Sequence, residues 1–258
     1  MNFEKRILAN GRATLYRGDC LELLAAGVFP QADMVLTDPP YASGGMYRAD
    51  RMMNVADKYV QGGQALNWRA FAGDNKDQRS WMNWCSTWLA ALPLRDGSYV
   101  ASFIDWRQLP ALTDAYQWAG LTWRGIAAWD KGGGARAPHK GYLRHQAEYL
   151  VWGTSGKCAA AEHAGPFSGV YRHAVKQSDK FHMTGKPTSL MRDLAQIVPA
   201  DALIIDPFMG SGSTGVAALQ TGRRFVGVEI DLGHFDGACQ RISQAAQAMG
   251  LHTEATPC

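Results

Sequence analysis

The stretch DPFMGSGSTG, residues 206–215, decides the fold of this chain. It follows the apolar run LII at residues 203–205, which is typical of a buried strand, and its glycines are typical of a tight turn that opens a helix. Further apolar runs and helical patterns alternate along the chain, as they do in α/β domains. We therefore predict a doubly wound, Rossmann-like α/β fold, with a mostly parallel sheet and helices on both of its faces.

The glycine-rich stretch also predicts a cofactor loop. Its GSGSTG segment, residues 210–215, satisfies the G-x-G-x-x-G pattern, in which glycines let the backbone approach a ligand at the start of a helix. A second apolar run then delivers Glu229, 19 residues after Gly210, where a carboxylate would hold the two hydroxyls of a ribose. No Lys-Ser or Lys-Thr pair follows these glycines, which excludes a phosphate-binding P-loop. The glycines alone leave a nicotinamide cofactor open.

A second motif, DPPY at residues 38–41, ends another apolar run. The exocyclic amine of a nucleobase is a poor nucleophile because its lone pair is delocalised into the ring. The Asp38 carboxylate and the Pro39 carbonyl can each accept a hydrogen bond from such an amine, and so free its lone pair. Pro39 and Pro40 fix the backbone, and Tyr41 offers a flat face on which a base can stack. A paired base cannot reach this site, so the target must be flipped out of its duplex.

Basic residues concentrate between positions 131 and 192. This stretch holds ten Lys or Arg against three acids, although the whole chain carries a net charge of only +3. Five of the seven histidines fall in it as well. Such a concentration is expected of a surface that contacts the phosphates of DNA, and an ordinary solvated face is the alternative.

Composition and length narrow the class of protein further. The 258 residues and 47% hydrophobic content suit one catalytic domain that spans residues 1–258. The amino terminus lacks a signal-peptide pattern, and no apolar run is long enough to cross a membrane. The five cysteines form no C-x-x-C pair, so we expect a cytoplasmic protein with reduced thiols, no metal site and no membrane contact.

The two motifs together resemble those of the DNA amino-methyltransferases that use S-adenosylmethionine. The resemblance is to the group in which DPPY precedes the FxGxG motif, a circular permutation of the class I methyltransferase fold. YRGDC at residues 16–20 is similar to the family's early GD element, and HMTGKP at residues 182–187 to its HxTxKP element. The resemblance covers nearly the whole chain.

The resemblance implies a role for individual residues. Asp19 and Cys20 would flank the adenine of S-adenosylmethionine, and Glu229 would hold its ribose. The residues expected around its methionine moiety are Thr184, Lys186, Asp206, Phe208 and Gly210, with Ser211, Gly212 and Thr214 as further contacts from the cofactor loop. The catalytic set would be Asp38, Pro39, Pro40 and Tyr41.

The implied activity is methyl transfer from S-adenosylmethionine to N6 of adenine in a flipped-out DNA base. N4 of cytosine is the nearest alternative, because the same acceptors suit either amine; the family's cytosine members more often carry SPPY, which favours adenine. RNA or protein-glutamine methylation fits less well. Outside this class, a catalytically inactive DNA-binding module and a nicotinamide-dependent oxidoreductase stay open.

Three further segments carry expectations. Residues 42–77, polar and glycine-rich, are predicted to be a long loop, either a lid or DNA-contacting arm or an insertion without a role. Residues 154–181 are where the resemblance places target recognition. A helix over residues 80–92 carries three tryptophans at spacings of three to four, which we interpret as packing onto the sheet. Family members with this motif order often form dimers; the sequence leaves open both a homodimer and a partner restriction nuclease.

Overall fold

The computed structural model describes residues 3–42, 76–133, 140–158, 164–174 and 185–251. Its strands are β1 (Glu4–Leu8), β2 (Ala13–Arg17), β3 (Ala32–Thr37), β4 (Leu94–Ile104), β5 (Thr122–Asp130), β6 (Ala147–Thr154), β7 (Val170–Arg172), β8 (Leu203–Asp206) and β9 (Arg224–Glu229). Its helices are α1 (Cys20–Ala25), α2 (Gln78–Ala90), α3 (Leu109–Trp118), α4 (Thr188–Ala195), α5 (Ser213–Gln220) and α6 (Leu232–Ala248).

All of these strands join one sheet, in the order β1-β2-β9-β8-β3-β4-β6-β5-β7. The central strands from β2 to β4 in this order run parallel to one another. Strand β1 is antiparallel to β2, and β6 is antiparallel to both of its neighbours. The predicted α/β fold with a mostly parallel sheet is therefore confirmed.

Side chains alternate between the two faces of the sheet along each strand, so a hydrophobic core forms on each face. In β3, Met34 and Leu36 pack on one face and Val35 packs on the other. Helices α4, α5 and α6 cover the first face, and α1, α2 and α3 cover the second. Each fully buried side chain of this size contributes about 1.5–3 kcal/mol relative to an exposed one. The predicted helices on both faces are confirmed.

The chain reverses its winding between β8 and β3. From β8 it passes through α5 to β9 on one side, and from β3 it passes through α2 to β4 on the other side. In open α/β sheets a crevice forms outside the carboxyl ends of two such strands, and ligands bind there. These two strands are the ones that carry the motifs: DPPY follows β3, and DPFMGSGSTG begins at the end of β8.

The tryptophan helix packs as predicted, since Trp81 and Trp88 on α2 are both completely buried. The predicted loop at residues 42–77 lies outside the described residues except at its ends. Part of the predicted recognition segment, residues 154–181, forms strand β7, which pairs with β5 and extends the sheet. Within the described ranges, no helix is long and apolar enough to cross a membrane, and no cluster of His, Cys, Asp or Glu could hold a metal.

Candidate active site

Four predicted acidic residues meet at one edge of the sheet. Asp38 directly follows β3, Asp206 ends β8, Glu229 ends β9, and Asp19 lies two residues beyond β2. These four strands are parallel neighbours, so their carboxyl ends share one edge. The fold thus gathers residues from both ends of the chain into a single crevice.

Asp206 is buried between the two motif strands. Its carboxylate accepts hydrogen bonds from the hydroxyls of Thr37 at 2.6 Å and Thr214 at 2.5 Å, and from the amide of Phe208 at 3.1 Å. Burial raises the pKa of Asp206 to about 6, although its donors favour the charged form. The Asp206 carboxylate therefore joins β3, β8 and the start of α5.

Glu229 faces the cofactor loop from the end of β9. Its carboxylate accepts a hydrogen bond from the Gly210 amide at 3.1 Å and another from the Asp231 amide at 2.8 Å. Burial raises the pKa of Glu229 to about 7. Each carboxylate oxygen keeps a further acceptor position, so Glu229 can receive the hydroxyls of a ribose.

Glycines allow the loop to turn tightly and α5 to pack closely. Gly212 caps the helix in the left-handed region, with φ of 75°. A Cβ at Gly215 would lie 2.5 Å from the Ile242 side chain and 2.7 Å from Phe225, so only glycine fits there. Ser211 accepts hydrogen bonds from Arg241 through its carbonyl at 3.3 Å and its hydroxyl at 3.2 Å.

Asp19 and Cys20 begin helix α1 beside Glu229. The Asp19 carboxylate accepts from the amides of Leu21 at 2.8 Å and Glu22 at 3.3 Å, which caps the helix. Cys20 is buried, and burial raises the pKa of its thiol. The Cys20 thiol is therefore neutral and unreactive. The preceding residue, Gly18, donates its amide to the Glu229 carbonyl at 3.0 Å, which brings the start of α1 to the end of β9. Contact of Asp19 and Cys20 with the adenine of the cofactor stays a prediction.

Phe208 packs against the tryptophans of α2, with its ring centroid 5.2 Å from that of Trp84 and 5.3 Å from that of Trp88. The third tryptophan of α2, Trp81, donates a hydrogen bond from its indole nitrogen to the Pro40 carbonyl at 2.7 Å. Trp81 therefore fixes the backbone of DPPY, a role that packing alone did not predict.

The Asp38 carboxylate lies in a network of charged side chains. It accepts hydrogen bonds from the Tyr41 hydroxyl at 2.5 Å and from the Lys186 ammonium at 2.5 Å. Lys186 also pairs with Glu148 at 3.2 Å, and Glu148 pairs with Lys131 at 3.1 Å. The position of Glu148 follows from the antiparallel direction of β6, whose amino end reaches the same edge as the carboxyl ends of the parallel strands.

Burial and the neighbouring charges set the protonation of this network. Burial raises the pKa of Asp38, and Lys186 only partly opposes that rise. Burial also acts to raise the pKa of Glu148, but Lys186 and Lys131 outweigh it and the pKa is lowered. For Lys186, burial favours the neutral amine, yet Asp38 and Glu148 raise its pKa. Burial and both carboxylates raise the pKa of Tyr41 well above its usual value.

The remaining predicted residues are Thr184 and the basic stretch at residues 131–192, of which the structure describes only a part. Thr184 lies outside the described residues. In the basic stretch, Lys131 and Lys186 point into the network around Asp38, with side chains 18% and 5% exposed. Arg172, whose side chain is 84% exposed, lies 3.6 Å from Asp130. Part of the local positive charge therefore belongs to the active site and not to an outer surface.

A family model described as DNA methylase matches residues 32–240. The chain is 30% identical to the protein "Putative methylase YubD" of Escherichia coli (strain K12) over 234 residues, which are 90% of this chain and 91% of that protein.

Two solved structures share the fold at lower sequence identity. The M1.HpyAVI complex with S-adenosylmethionine is 20% identical, with a TM-score of 0.65 over 89% of this chain and 98% of that one. The cytosine-N4-specific PvuII DNA methyltransferase is 15% identical, with a TM-score of 0.67 over 96% of each chain. Since the family model spans both motif strands and most of the sheet, this chain belongs to the DNA methylase family.

Proposed function

We propose that this protein transfers a methyl group from S-adenosylmethionine to N6 of adenine in a flipped-out DNA base. The observation that carries the proposal is the contact between the two motif strands, in which the Thr37 hydroxyl, next to Asp38, bonds to the Asp206 carboxylate at 2.6 Å. A cofactor held by the glycine loop and an amine held by Asp38 would therefore meet in one crevice. The described residues all pack on one sheet, which supports a single catalytic domain.

Asp38 and Pro39 would act on the amine. Hydrogen bonds to the Asp38 carboxylate and the Pro39 carbonyl favour a tetrahedral nitrogen, whose lone pair attacks the sulfonium methyl in line. The carbon–sulfur bond breaks as the carbon–nitrogen bond forms, the thioether leaves neutral, and the nitrogen then releases a proton to water. Orientation of the two reactants contributes about 7–11 kcal/mol in well-aligned systems. Pro40 and Tyr41 would complete the base site.

The cofactor would lie along the carboxyl ends of β2, β9 and β8. Glu229 would accept hydrogen bonds from the ribose hydroxyls, because its carboxylate already faces the Gly210 amide. Asp19 and Cys20, at the start of α1, would border the adenine. The proposed contacts of the methionine moiety and the loop are Thr184, Lys186, Asp206, Phe208, Gly210, Ser211, Gly212 and Thr214.

The choice of adenine rests on Asp38, at the position where cytosine members of the family more often carry Ser. The same two acceptors would serve N4 of cytosine, which is the alternative. A DNA substrate and the free thiols of the described cysteines favour the cytoplasm as location. A second copy of the chain and a restriction nuclease are proposed partners, and sedimentation of the purified protein and of cell extracts would reveal them.

Long-read sequencing of genomic DNA from cells that express the protein tests the function. We expect N6-methyladenine at one short recurring motif with the wild type, and far less of it with Asp38→Ala. Methylated cytosine alone would overturn the choice of base. No methylated base with a folded, expressed wild-type protein would contradict the activity itself.

A further inference from the structure

The Lys186 ammonium is enclosed by acceptors at the catalytic motif. The side chain is only 5% exposed, and its three N–H groups have three acceptors. These are the Asp38 carboxylate at 2.5 Å, the Tyr41 hydroxyl at 3.0 Å and the Glu148 carboxylate at 3.2 Å. Three aromatic rings also lie 5.0 to 5.8 Å from the ammonium nitrogen, those of Tyr41, Phe103 and Trp129. A positive charge is thus fixed beside the acceptor that the target amine needs.

The network around Asp38 contains two negative and two positive side chains. Asp38 and Glu148 are the carboxylates, and Lys186 and Lys131 are the cations, with Lys131 held against the second oxygen of Glu148 at 3.1 Å. Without Lys186, two carboxylates would share one poorly solvated site, and one of them would take up a proton. A protonated Asp38 could no longer accept a charge-assisted hydrogen bond from an amine.

We propose that Lys186 is a positioning residue that keeps the Asp38 carboxylate ionised and oriented, and that Glu148 and Lys131 hold its ammonium there. This inference rests on the proposed function and deepens it. It gives Glu148 a role that neither motif predicted. Tyr41 and Lys186 each donate to a different oxygen of Asp38, so the carboxylate keeps further acceptor positions, since two oxygens carry about four lone-pair sites.

The charged groups around Asp38 determine the expected pH dependence. They come from four elements and are Lys186 before α4, Tyr41 after β3, Glu148 on β6 and Asp206 on β8. Lys186 lowers the pKa of Asp38, whereas burial and Glu148 raise it. Because the ionised form is the active one, methylation falls as pH drops below that pKa. Loss of Lys186 should move this acid limb to higher pH, and loss of the Glu148 charge should move it to lower pH.

The test is the pH profile of kcat/KM for DNA methylation in purified variants. We expect Lys186→Gln to shift the acid limb upward by about 1–3 pH units, the range typical of a lost adjacent cation. The acid limb of Lys186→Arg should lie near that of the wild type, because the positive charge is kept. The acid limb of Glu148→Gln should move to lower pH. Arg95→Gln is the control, since it removes a cation paired with Asp33 at the opposite edge of the sheet.

Two results would overturn the role of Lys186: the same acid limb in Lys186→Gln and the wild type, or shifts in the same direction for Lys186→Gln and Glu148→Gln. Melting temperature and S-adenosylmethionine affinity of each variant separate a folding defect from a charge effect, and Glu148→Gln still tests the inference if Lys186→Gln does not fold. If the wild type methylates no DNA, the proposed function fails instead.

A separate cluster of exposed side chains lies at the same edge of the sheet. Trp106, two residues beyond β4, is 53% exposed, and its ring lies nearly parallel to that of His145, at 16° with centroids 6.4 Å apart. The Arg107 guanidinium lies 4.9 Å from the Trp106 ring centroid and is held by Asp105 at 3.0 Å. Leu143, near His145 in the chain, is 90% exposed.

We infer that the Trp106 cluster stacks a DNA base beside the methylation site, an inference that also rests on the proposed function. Aromatic rings and a guanidinium plane stack on bases of any identity, and the cation suits a phosphate backbone. A flipped base leaves its neighbours without a stacking partner, and an exposed ring can supply one. Strands β3 and β4 are parallel neighbours, with Thr37 opposite Ser102, so the residues just after β4 lie at the same edge as DPPY.

Fluorescence anisotropy with a duplex that contains the methylated site tests this surface. Stacking is worth about 1–3 kcal/mol per base, so Trp106→Ala should weaken binding roughly 5- to 150-fold, while Trp106→Phe should bind nearly as the wild type. Trp118→Ala is the matched control, because Trp118 is 80% exposed at the end of α3, which leads to the opposite edge. Binding of Trp106→Ala within twofold of the wild type would overturn the inference, whereas an inactive wild type would overturn the proposed function.

Discussion

The hydroxyl of Thr37 donates a 2.6 Å hydrogen bond to the carboxylate of Asp206, and so the last residue of β3 is tied to the last residue of β8. These residues are 169 positions apart in sequence. The bond fixes the distance between the strand that presents DPPY and the strand that presents the cofactor loop. Methyl transfer depends on that distance, because a small misplacement of the reacting atoms slows such reactions greatly.

Thr37→Val should destabilise the fold by about 1.5–3 kcal/mol at pH 8, the usual value of a hydrogen bond to a charged group. Thr37 is completely buried, and valine has nearly the same shape. The lost donor stabilises only the ionised carboxylate, and the pKa of Asp206 is about 6. The destabilisation should therefore shrink as pH falls from 8 to 5. Urea unfolding at both pH values measures it.

The control for this prediction is Thr87→Val on α2. Thr87 is exposed, and its hydroxyl donates to the backbone carbonyl of Asn83 in its own helix. We expect a change within about 0.5 kcal/mol, as for most surface substitutions. If Thr37→Val lowered the free energy of unfolding no more than the control does, or by the same amount at both pH values, the bond to Asp206 would not stabilise the fold.

Asp38→Ala should reduce methylation by about 10- to 150-fold or more, because a charged acceptor of this kind contributes about 1.5–3 kcal/mol. Affinity for S-adenosylmethionine should stay within a few-fold of the wild type, since Asp38 faces the base site. Single-turnover methylation and calorimetry measure the two effects separately. Turnover above about a tenth of the wild-type value would contradict an acceptor role for Asp38.

Cofactor affinity should weaken as pH falls below about 7. The pKa of Glu229 is raised to about 7, and an ionised carboxylate is the stronger acceptor for two hydroxyls. If only the ionised form binds, the apparent Kd rises by about tenfold for each pH unit below the pKa. Glu229→Gln should bind more weakly at pH 8 and show a flatter pH dependence. Equal Kd values for both proteins at pH 8 would show that the ribose is held elsewhere.

DNA affinity should fall steeply with salt, as expected for a protein that neutralises phosphates. Arg172 on β7 is an exposed cation of the basic stretch, with 84% of its side chain accessible. Arg172→Gln should reduce the slope of log affinity against log salt by about one. Arg95→Gln, at the opposite edge, should leave the slope unchanged. If the DNA affinity of the wild type did not change with salt, the basic stretch would be an ordinary solvated surface that contacts no phosphates.

Much of the site could be predicted from sequence because its residues end strands. An acid after an apolar run marks the carboxyl end of a strand, and in a parallel sheet all such ends share one edge. Asp38, Asp206 and Glu229 were found in this way. The glycine pattern added the loop, since Gly212 needs a positive φ and Gly215 leaves no space for a side chain.

The rest depends on contacts that no local pattern encodes. Glu148 reaches the site because β6 runs antiparallel, so its amino end lies at the catalytic edge. A search for acids at carboxyl ends cannot find it. Trp81 looked like core packing, and it is buried, but its indole also bonds to the Pro40 carbonyl. The pairing of Lys186 with Asp38 joins segments 148 residues apart and follows only from the strand order.

Mass spectrometry of nucleosides gives the most direct test of the proposed reaction. Purified protein would be incubated with duplex DNA and S-adenosylmethionine that carries a trideuterated methyl group, and the DNA then digested to nucleosides. We predict N6-methyldeoxyadenosine with the trideuterated mass, formed by the wild type and at least tenfold more slowly by Asp38→Ala. Labelled N4-methyldeoxycytidine without labelled adenine would contradict the adenine assignment, and DNA without any label would contradict methyl transfer by this protein.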